Sequence, residues 1–209
     1  MRILIIDDHA VVRRGLKQIL ADDFKRAVFG EAWNAQEALT RIWNERWDVV
    51  VLDITLPGRS GLEVLREIKR FKPNLPVMVL SMHPEDQFGV RVLKSGAAGY
   101  MNKESAPQEL VGAIRKVLAG GRYMSPTLVD KMAAYLVTDS TKQPHERLSD
   151  REFLVLRLIA SGKTVSEIGQ ELSLSVKTIS TYRTRILEKT GLKNNAELMR
   201  YALDNQLLK

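Results

Sequence analysis

The sequence predicts an α/β domain with a doubly wound, five-stranded parallel sheet, followed by a small all-α domain. Before residue 120, short apolar runs alternate five times with segments of helical periodicity, which is the pattern of consecutive βα units. A polar stretch with a proline, TDSTKQPH, then interrupts the pattern, and only helical segments and short turns follow. A chain of 209 residues is long enough for two such domains.

The predicted strands of the first domain are short and apolar, as expected for a parallel sheet that is covered on both faces. They are Arg2–Ile6, Ala27–Gly30, Asp48–Leu52, Pro76–Leu80 and Ala98–Met101. A helix with apolar residues three or four positions apart follows each strand. These helices are His9–Ala21, Asn34–Arg46, Ser60–Phe71, Glu85–Lys94 and Ala106–Ala119. Right-handed crossovers then place helices on both faces of one sheet.

Polar side chains stand just after the ends of four predicted strands. They are Asp7 with Asp8, Asp53, Ser81 and Lys103. Because the carboxyl ends of parallel strands meet at one edge of the sheet, these side chains are expected to form one site. A dense carboxylate cluster favours a hard divalent cation with oxygen ligands, and Mg²⁺ fits best. A metal ion, a hydroxyl and an ammonium group around one carboxylate are what phosphoryl transfer to that carboxylate requires.

The spacing of these residues carries a family resemblance. Pro57 and Gly61 follow Asp53 by four and eight residues, and Tyr100 precedes Lys103 by three. Together with the acidic pair, this region resembles the flavodoxin-like receiver domain of two-component response regulators. The string GAAGYMNK is similar to the segment that carries the family's switch aromatic and lysine. The resemblance implies the strand order 2-1-3-4-5.

The resemblance also implies a role for each residue of the predicted site. Asp53 is the implied phosphoacceptor, and Mg²⁺ is held by Asp7, Asp8, Asp53 and the backbone carbonyl of Thr55.

Three further roles follow from the same resemblance. Lys103 pairs with the acyl phosphate, Ser81 hydrogen-bonds a phosphate oxygen, and Tyr100 rotates inward in response. His83 and His145 have no partner at ligand spacing, and no role in the site is predicted for them. The three tryptophans, Trp33, Trp43 and Trp47, are expected to pack in the fold.

The second predicted domain consists of helices joined by short turns. Ser149 and Glu152 form a capping box at the start of its first helix. A short turn, Ser173–Ser175, precedes a basic, hydroxyl-rich helix, Val176–Thr190, which favours a helix-turn-helix DNA-binding domain. The other reading of so small a bundle is a dimerisation or protein-docking module. The predicted divisions are residues 1–121, a linker with one helix at 122–146, and residues 147–209.

The residues LSDREFLVLRLIASGKTVSEIGQELSLSVKTIS resemble the LuxR-type helix-turn-helix, and the whole architecture resembles the NarL/FixJ class of response regulators. This resemblance places base contacts at Ser180, Thr181 and Thr184, which share one helix face. The cationic side chains that flank this face are better placed for phosphates, which fix register rather than sequence. They are Lys177, Arg183 and Arg185.

The resulting hypothesis is a phosphorylation-controlled transcription regulator. The resemblance implies a sensor histidine kinase as phosphodonor, a homodimer after phosphorylation, and double-stranded promoter DNA as target. The chain is not expected to be an enzyme beyond its own phosphorylation and dephosphorylation. A dehalogenase-type phosphotransferase would need an aspartate at position 55, where Thr55 stands. The alternative is a phosphorylation-independent DNA-binding or docking regulator, whose acidic pocket would be broken.

Composition agrees with this hypothesis. The net charge is +7, and residues 176–193 contain five basic side chains against one acidic. The chain has no cysteine, which excludes a disulfide scaffold and fits a reducing cytoplasm. No apolar run approaches about 18 residues, so no membrane partner is expected.

Overall fold

A computed structural model of the chain describes residues 1–137, 143–205 and 207–208. The first five residues of the predicted linker TDSTKQPH, at positions 138–142, lie outside the described residues. The chain divides into two compact units, Met1–Leu136 and Val137–Lys209. None of the described helices is both long and apolar enough to cross a membrane.

The first unit contains the five-stranded parallel sheet that the sequence predicts. Its strands are β1 (Arg2–Ile6), β2 (Val28–Ala32), β3 (Val49–Asp53), β4 (Val77–Ser81) and β5 (Gly99–Asn102). They pair in the order β2-β1-β3-β4-β5, and every pair is parallel. Every residue of β3 and β4 is buried, which explains why these segments show no polar–apolar alternation.

Six helices complete the first unit. They are α1 (Ala10–Asp23), α2 (Ala35–Asn44), α3 (Gly61–Phe71), α4 (Glu85–Lys94), α5 (Ala106–Leu118) and α6 (Pro126–Val137). Side chains at two helix starts satisfy backbone N–H groups that have no partner inside the helix. Asn34 accepts a hydrogen bond from the N–H of Glu37, and Ser60 accepts one from Glu63. Asparagine and serine are among the residues preferred at this position, because their side-chain oxygens can accept such bonds.

One core cluster of this unit lies between β1, β3, β4 and the inner faces of α1 and α5. Its buried members include Ile5, Leu20, Val51, Leu80 and Ile114. Because the strands are parallel and nearly in register, their last residues meet at one edge. Asp53 therefore lies opposite Leu80 in β4, one position before Ser81.

The segment after α5 returns along the open edge of the sheet. Gly120 turns the chain in the left-handed region, at φ 84°. Tyr123 then forms a parallel bridge with Gly99: its N–H donates to the carbonyl of Ala98, and its carbonyl accepts from Tyr100. We call residues 123–128 the edge strap.

The described part of the second unit contains a short 3-10 helix (Pro144–Arg147) and four α-helices, α7 (Asp150–Ala160), α8 (Val165–Glu171), α9 (Val176–Thr190) and α10 (Asn195–Asp204). The predicted bounds of α9 agree with the structure, and Gly191 ends this helix in the left-handed conformation at φ 74°. Ile168, Ile179, Ile186 and Leu198 are fully buried and form part of a small core.

A capping box begins α7, as predicted. The Glu152 carboxylate accepts the N–H of Ser149 at 2.8 Å and also pairs with the Lys189 ammonium at 2.6 Å. Burial alone would raise the pKa of Glu152, but the Lys189 ammonium and the Ser149 donors outweigh it, and the pKa is lowered. One carboxylate therefore caps α7 and ties it to the end of α9.

We expect Glu152→Ala to lower the free energy of unfolding of the second unit by about 2 kcal/mol, from the lost cap and the half-exposed ion pair. Glu152→Gln should lose less, because its amide oxygen can still accept from Ser149. The deficit should shrink as pH falls through the lowered pKa of Glu152, because protonation then removes the pair from the parent.

Urea denaturation can assign this effect to one unit. All three tryptophans lie in the first unit, so their fluorescence reports that unit alone. Circular dichroism should show the loss, while the fluorescence transition should stay in place. An equal shift of both transitions would contradict this role for Glu152.

Candidate functional site

The structure brings together three charged residues at the carboxyl edge of the sheet. The Nζ atom of Lys103 lies 2.6 Å from Asp7 Oδ2 and 2.7 Å from Asp53 Oδ2. Asp7 follows β1, Asp53 ends β3 and Lys103 follows β5. The two carboxylates are almost fully buried, and the ammonium group is largely so. This is the arrangement that the strand-end positions predict.

Burial and charge determine the ionisation of Asp53 and Lys103. Burial raises the pKa of Asp53 to about 6, with a smaller upward contribution from the Asp7 charge, against the lowering effect of Lys103. Burial alone would lower the pKa of Lys103, but the two carboxylates outweigh it and the pKa is raised. At neutral pH Asp53 is therefore mostly ionised and Lys103 is cationic.

The acidic pair beside Asp53 could hold a metal ion. Ligand atoms of Asp7, Asp8 and His9 all lie within 4.8 Å of one another. Asp8 is exposed, whereas Asp7 is buried and its Oδ2 atom pairs with the Lys103 ammonium. Carboxylate oxygens that keep free acceptor capacity, next to an open side, fit the hard-oxygen preference of Mg²⁺. The imidazole of His9 is a less suitable ligand for this ion.

Ser81 and Tyr100 converge on the backbone of His83. Ser81 is fully buried, and its Oγ atom accepts the N–H of His83 at 3.0 Å. Tyr100 is also fully buried, and its hydroxyl donates to the carbonyl of His83 at 2.6 Å. Tyr100 therefore occupies the inward position that the family resemblance assigns to the responding switch.

His83 is the residue of this site that sequence analysis missed. Its Nε2 atom lies 3.5 Å from Thr55 Oγ1, and the N–H of Thr55 donates to Asp53 Oδ1 at 3.2 Å. A lone loop histidine gives no motif, and the only available signal is its position two residues after the strand-end Ser81. It connects the loop after β3 with the loop after β4.

The polar face of α9 is the candidate site in the second unit. Ser180, Thr181 and Thr184 are exposed, as predicted from their spacing. The hydroxyls of Thr181 and Thr184 donate to helix carbonyls four residues earlier, at 3.0 and 3.2 Å. Each oxygen can still accept a hydrogen bond.

Cationic side chains flank this face. Lys177 and Arg185 are exposed and line a shallow depression together with Ser175, Thr178, Thr181 and Tyr182. Arg183 is only partly exposed, and its Nε atom donates to Asn195 Oδ1 at 2.6 Å, at the start of α10. Within this face, Lys177 and Arg185 are thus the freer cations for a phosphate backbone.

A parallel α/β unit with this acidic pocket, followed by a helix-turn-helix unit, defines a class of signalling regulators. The family model for the response regulator receiver domain matches residues 3–115, and the model for bacterial regulatory proteins of the luxR family matches residues 146–202. The chain therefore belongs to the response regulators of the NarL/FixJ class, which are DNA-binding transcription regulators of two-component systems.

Named relatives agree with this assignment over nearly the whole chain. It is 36% identical to response regulator UvrY of Escherichia coli K12 over 208 residues, which is 99% of this chain and 95% of the relative. It is 38% identical to response regulator GacA of Pseudomonas aeruginosa over 199 residues, covering 95% and 93%. A structure of RcsB from Salmonella enterica serovar Typhimurium, bound to promoter rprA with the phosphomimetic BeF3-, is similar at TM-score 0.63, with 29% identity and coverage of 96% and 97%.

Proposed function

We propose that Asp53 accepts a phosphoryl group from a sensor histidine kinase and that this reaction controls dimerisation and promoter binding. The observation that carries the proposal is the Lys103 ammonium between the buried carboxylates of Asp7 and Asp53. A reactive carboxylate, a fixed cation and a neighbouring buried hydroxyl on Ser81 thus share one edge of the sheet. Neither matched family is an enzyme family, and we propose no reaction beyond this phosphorylation and its hydrolysis.

The transfer forms one bond and breaks one. An Asp53 carboxylate oxygen bonds to phosphorus as the phosphorus–nitrogen bond of a phosphohistidine breaks, and the leaving imidazole nitrogen keeps the electron pair. The pKa of about 6 leaves Asp53 ionised for this attack at neutral pH. Lys103 can exchange its contact with Asp53 Oδ2 for an oxygen of the phosphoryl group, where it neutralises developing charge.

The residues present fit a magnesium ion. Asp7, Asp8 and Asp53, together with the backbone carbonyl of Thr55, would hold Mg²⁺, and the exposed carboxylate of Asp8 next to the buried Asp7 supports this donor set. When bound, Mg²⁺ neutralises negative charge on the phosphoryl oxygens.

The signal would pass from the pocket to Ser81 and Tyr100. The Ser81 hydroxyl now accepts from His83, and it can donate its own hydrogen to a phosphoryl oxygen without giving up that bond. Tyr100 holds the same loop through the carbonyl of His83. We propose that phosphorylation stabilises this arrangement over others that the loop can adopt.

We propose α9 as the DNA-recognition helix. The RcsB neighbours include DNA complexes, one of which holds two dimers on two parallel DNAs. By analogy, we propose that a homodimer of this chain places two α9 helices on double-stranded promoter DNA. Ser180, Thr181 and Thr184 would contact base edges. Lys177, Arg183 and Arg185 would contact phosphates. Because bacterial promoter DNA lies in the cytoplasm, we place the protein there.

Beryllofluoride, which mimics the phosphoryl group, tests this function directly. With Mg²⁺ and beryllofluoride, light scattering should show a dimer, and the affinity for promoter DNA should rise about tenfold or more. The same additions to Asp53→Asn should change neither quantity. Unchanged mass and affinity in the parent protein would favour the phosphorylation-independent regulator instead.

A further inference from the structure

The edge strap, residues 123–128, contacts two elements that adjoin the phosphorylation pocket. The first is β5, which carries Tyr100. The carbonyl of Tyr123 accepts the N–H of Tyr100 at 3.3 Å, and the N–H of Tyr123 donates to Ala98 at 2.9 Å. The Tyr123 hydroxyl also donates to Glu109 on α5. The strap thus holds the backbone of the switch tyrosine from the outer edge of the sheet.

The second element is α4, which begins two residues after His83. The Ser125 hydroxyl donates to the carboxylate of Glu85 in the first turn of α4. The same Ser125 oxygen accepts the N–H of Leu128 at 3.1 Å, which fixes the start of α6 at this point. One strap residue therefore joins the first turns of α4 and α6.

Leu128 makes the most constrained contact. Its side chain is fully buried against Gly89 of α4. A Cβ atom on residue 89 would lie only 2.6 Å from Leu128 Cδ1, so the leucine side chain would have to shift if residue 89 were not glycine. A glycine in the middle of a helix costs about 0.5–1 kcal/mol relative to alanine. Leu128 and Gly89 therefore act as a matched pair of knob and socket.

These contacts converge on one loop. The carbonyl of His83 accepts from the Tyr100 hydroxyl, its N–H donates to the Ser81 oxygen, and α4 begins two residues later. The strap holds Tyr100 from one side and α4 from the other. The strap is therefore bonded both to Tyr100, which holds the His83 loop, and to α4, which follows that loop. These bonds are present in the arrangement with Tyr100 inward.

We propose that Leu128 and Ser125 are positioning residues for the phosphorylation of Asp53. The seated strap favours the inward Tyr100 and the α4 position that supports the phosphoryl group. Because coupling between two sites is reciprocal, phosphorylation must tighten the strap in return. The chain continues from the strap through α6 toward the second unit. The packing of the strap against β5 and α4 is therefore one way in which phosphorylation of Asp53 can affect the following part of the chain. This inference rests on the proposed function of Asp53.

The test compares full-length variants in phosphorylation by phosphoramidate, followed on phosphate-affinity gels. Leu128→Ala should slow phosphorylation about threefold to thirtyfold, the range expected for a coupling residue outside both sites. The control is Val129→Ala, because Val129 is a neighbouring apolar residue that is 45% exposed; it should stay within about twofold of the parent. Leu128→Met should recover most of the rate, since it refills the socket.

Gly89→Ala approaches the same contact from α4. Its methyl group displaces Leu128 while favouring the helix, so it should slow phosphorylation without unfolding α4. Hydrogen exchange gives a second reading: beryllofluoride with Mg²⁺ should slow exchange in residues 123–128 of the parent, but not in Leu128→Ala. Tryptophan fluorescence in urea confirms that each variant is folded.

The outcomes separate the two proposals. Parent-like phosphorylation of both Leu128→Ala and Gly89→Ala would overturn the role of the strap, and so would equal slowing in Val129→Ala. If the parent takes no phosphoryl group at all, or if Asp53→Asn is labelled, the function proposed for Asp53 fails instead.

Discussion

Asp53→Asn is expected to abolish phosphorylation and at the same time to stabilise the first unit. The amide cannot supply the carboxylate oxygen that bonds to phosphorus, so labelling by phosphodonor should fall to background. The stabilisation follows from the raised pKa, because burial disfavours the ionised carboxylate in the folded state. The gain in the free energy of unfolding is about 1–2 kcal/mol near neutral pH without Mg²⁺. It is not larger, because the variant also removes one of the two carboxylate partners of Lys103.

The same pKa determines the pH dependence. The folded pKa of Asp53 is about 6, against an ordinary value of 3.8, so the folded state binds the proton more tightly. Stability of the parent should therefore fall as pH rises from about 4 to about 6, and this decrease should be smaller in Asp53→Asn. Urea denaturation followed by tryptophan fluorescence measures the stability of the parent and of Asp53→Asn at each pH.

Asp22→Asn is a matched control, because it removes one exposed carboxylate from α1. It should be labelled as fast as the parent and should leave the difference between pH 4 and pH 6 unchanged. Labelling of Asp53→Asn at the rate of the parent would show that another residue is the acceptor.

Thr181→Ala and Lys177→Ala are expected to weaken DNA binding in different ways. Thr181 lies on the exposed face of α9, where its hydroxyl oxygen and methyl can meet base edges. Its loss should cost about 1–3 kcal/mol on the best operator and little on random DNA. Lys177 is an exposed cation that fits a phosphate, so its loss should weaken binding to all sequences and reduce the salt slope by about one.

Titrations of operator and random DNA at several salt concentrations distinguish these effects. Thr40→Ala is a matched control, because Thr40 on α2 is also exposed and also donates to the carbonyl four residues earlier, at 2.9 Å. It should change neither affinity. If Thr181→Ala weakens operator and random DNA equally, the recognition face has been assigned to the wrong residues.

Local patterns in the sequence were enough to predict the secondary structure and its caps. The five strands, the helices and the capping box of Ser149 with Glu152 all depend on residues a few positions apart, and all are present. The strand-end positions of Asp7, Asp53 and Ser81 also predicted a common site, because parallel strands end at the same edge of a sheet.

The exposure of the tryptophans shows that such patterns do not predict which aromatic side chains are buried. All three were expected to pack, but only Trp47 is buried, with its ring against Gly30. Trp33 and Trp43 are 56% and 49% exposed. Hydrophobicity gives no information about which aromatic residue finds a cavity, because the cavity is formed by residues distant in sequence.

The sequence by itself therefore determined the family, the fold and the residues available to the acidic pocket. Only the tertiary structure decided that Lys103 lies between Asp7 and Asp53, that His83 joins Thr55 to Tyr100, and that Leu128 fills the space at Gly89. The reason is that secondary structure follows from interactions a few residues apart. Contacts across the sheet depend on the register of strands and on side-chain packing, which join residues 17 to 96 positions apart in the sequence.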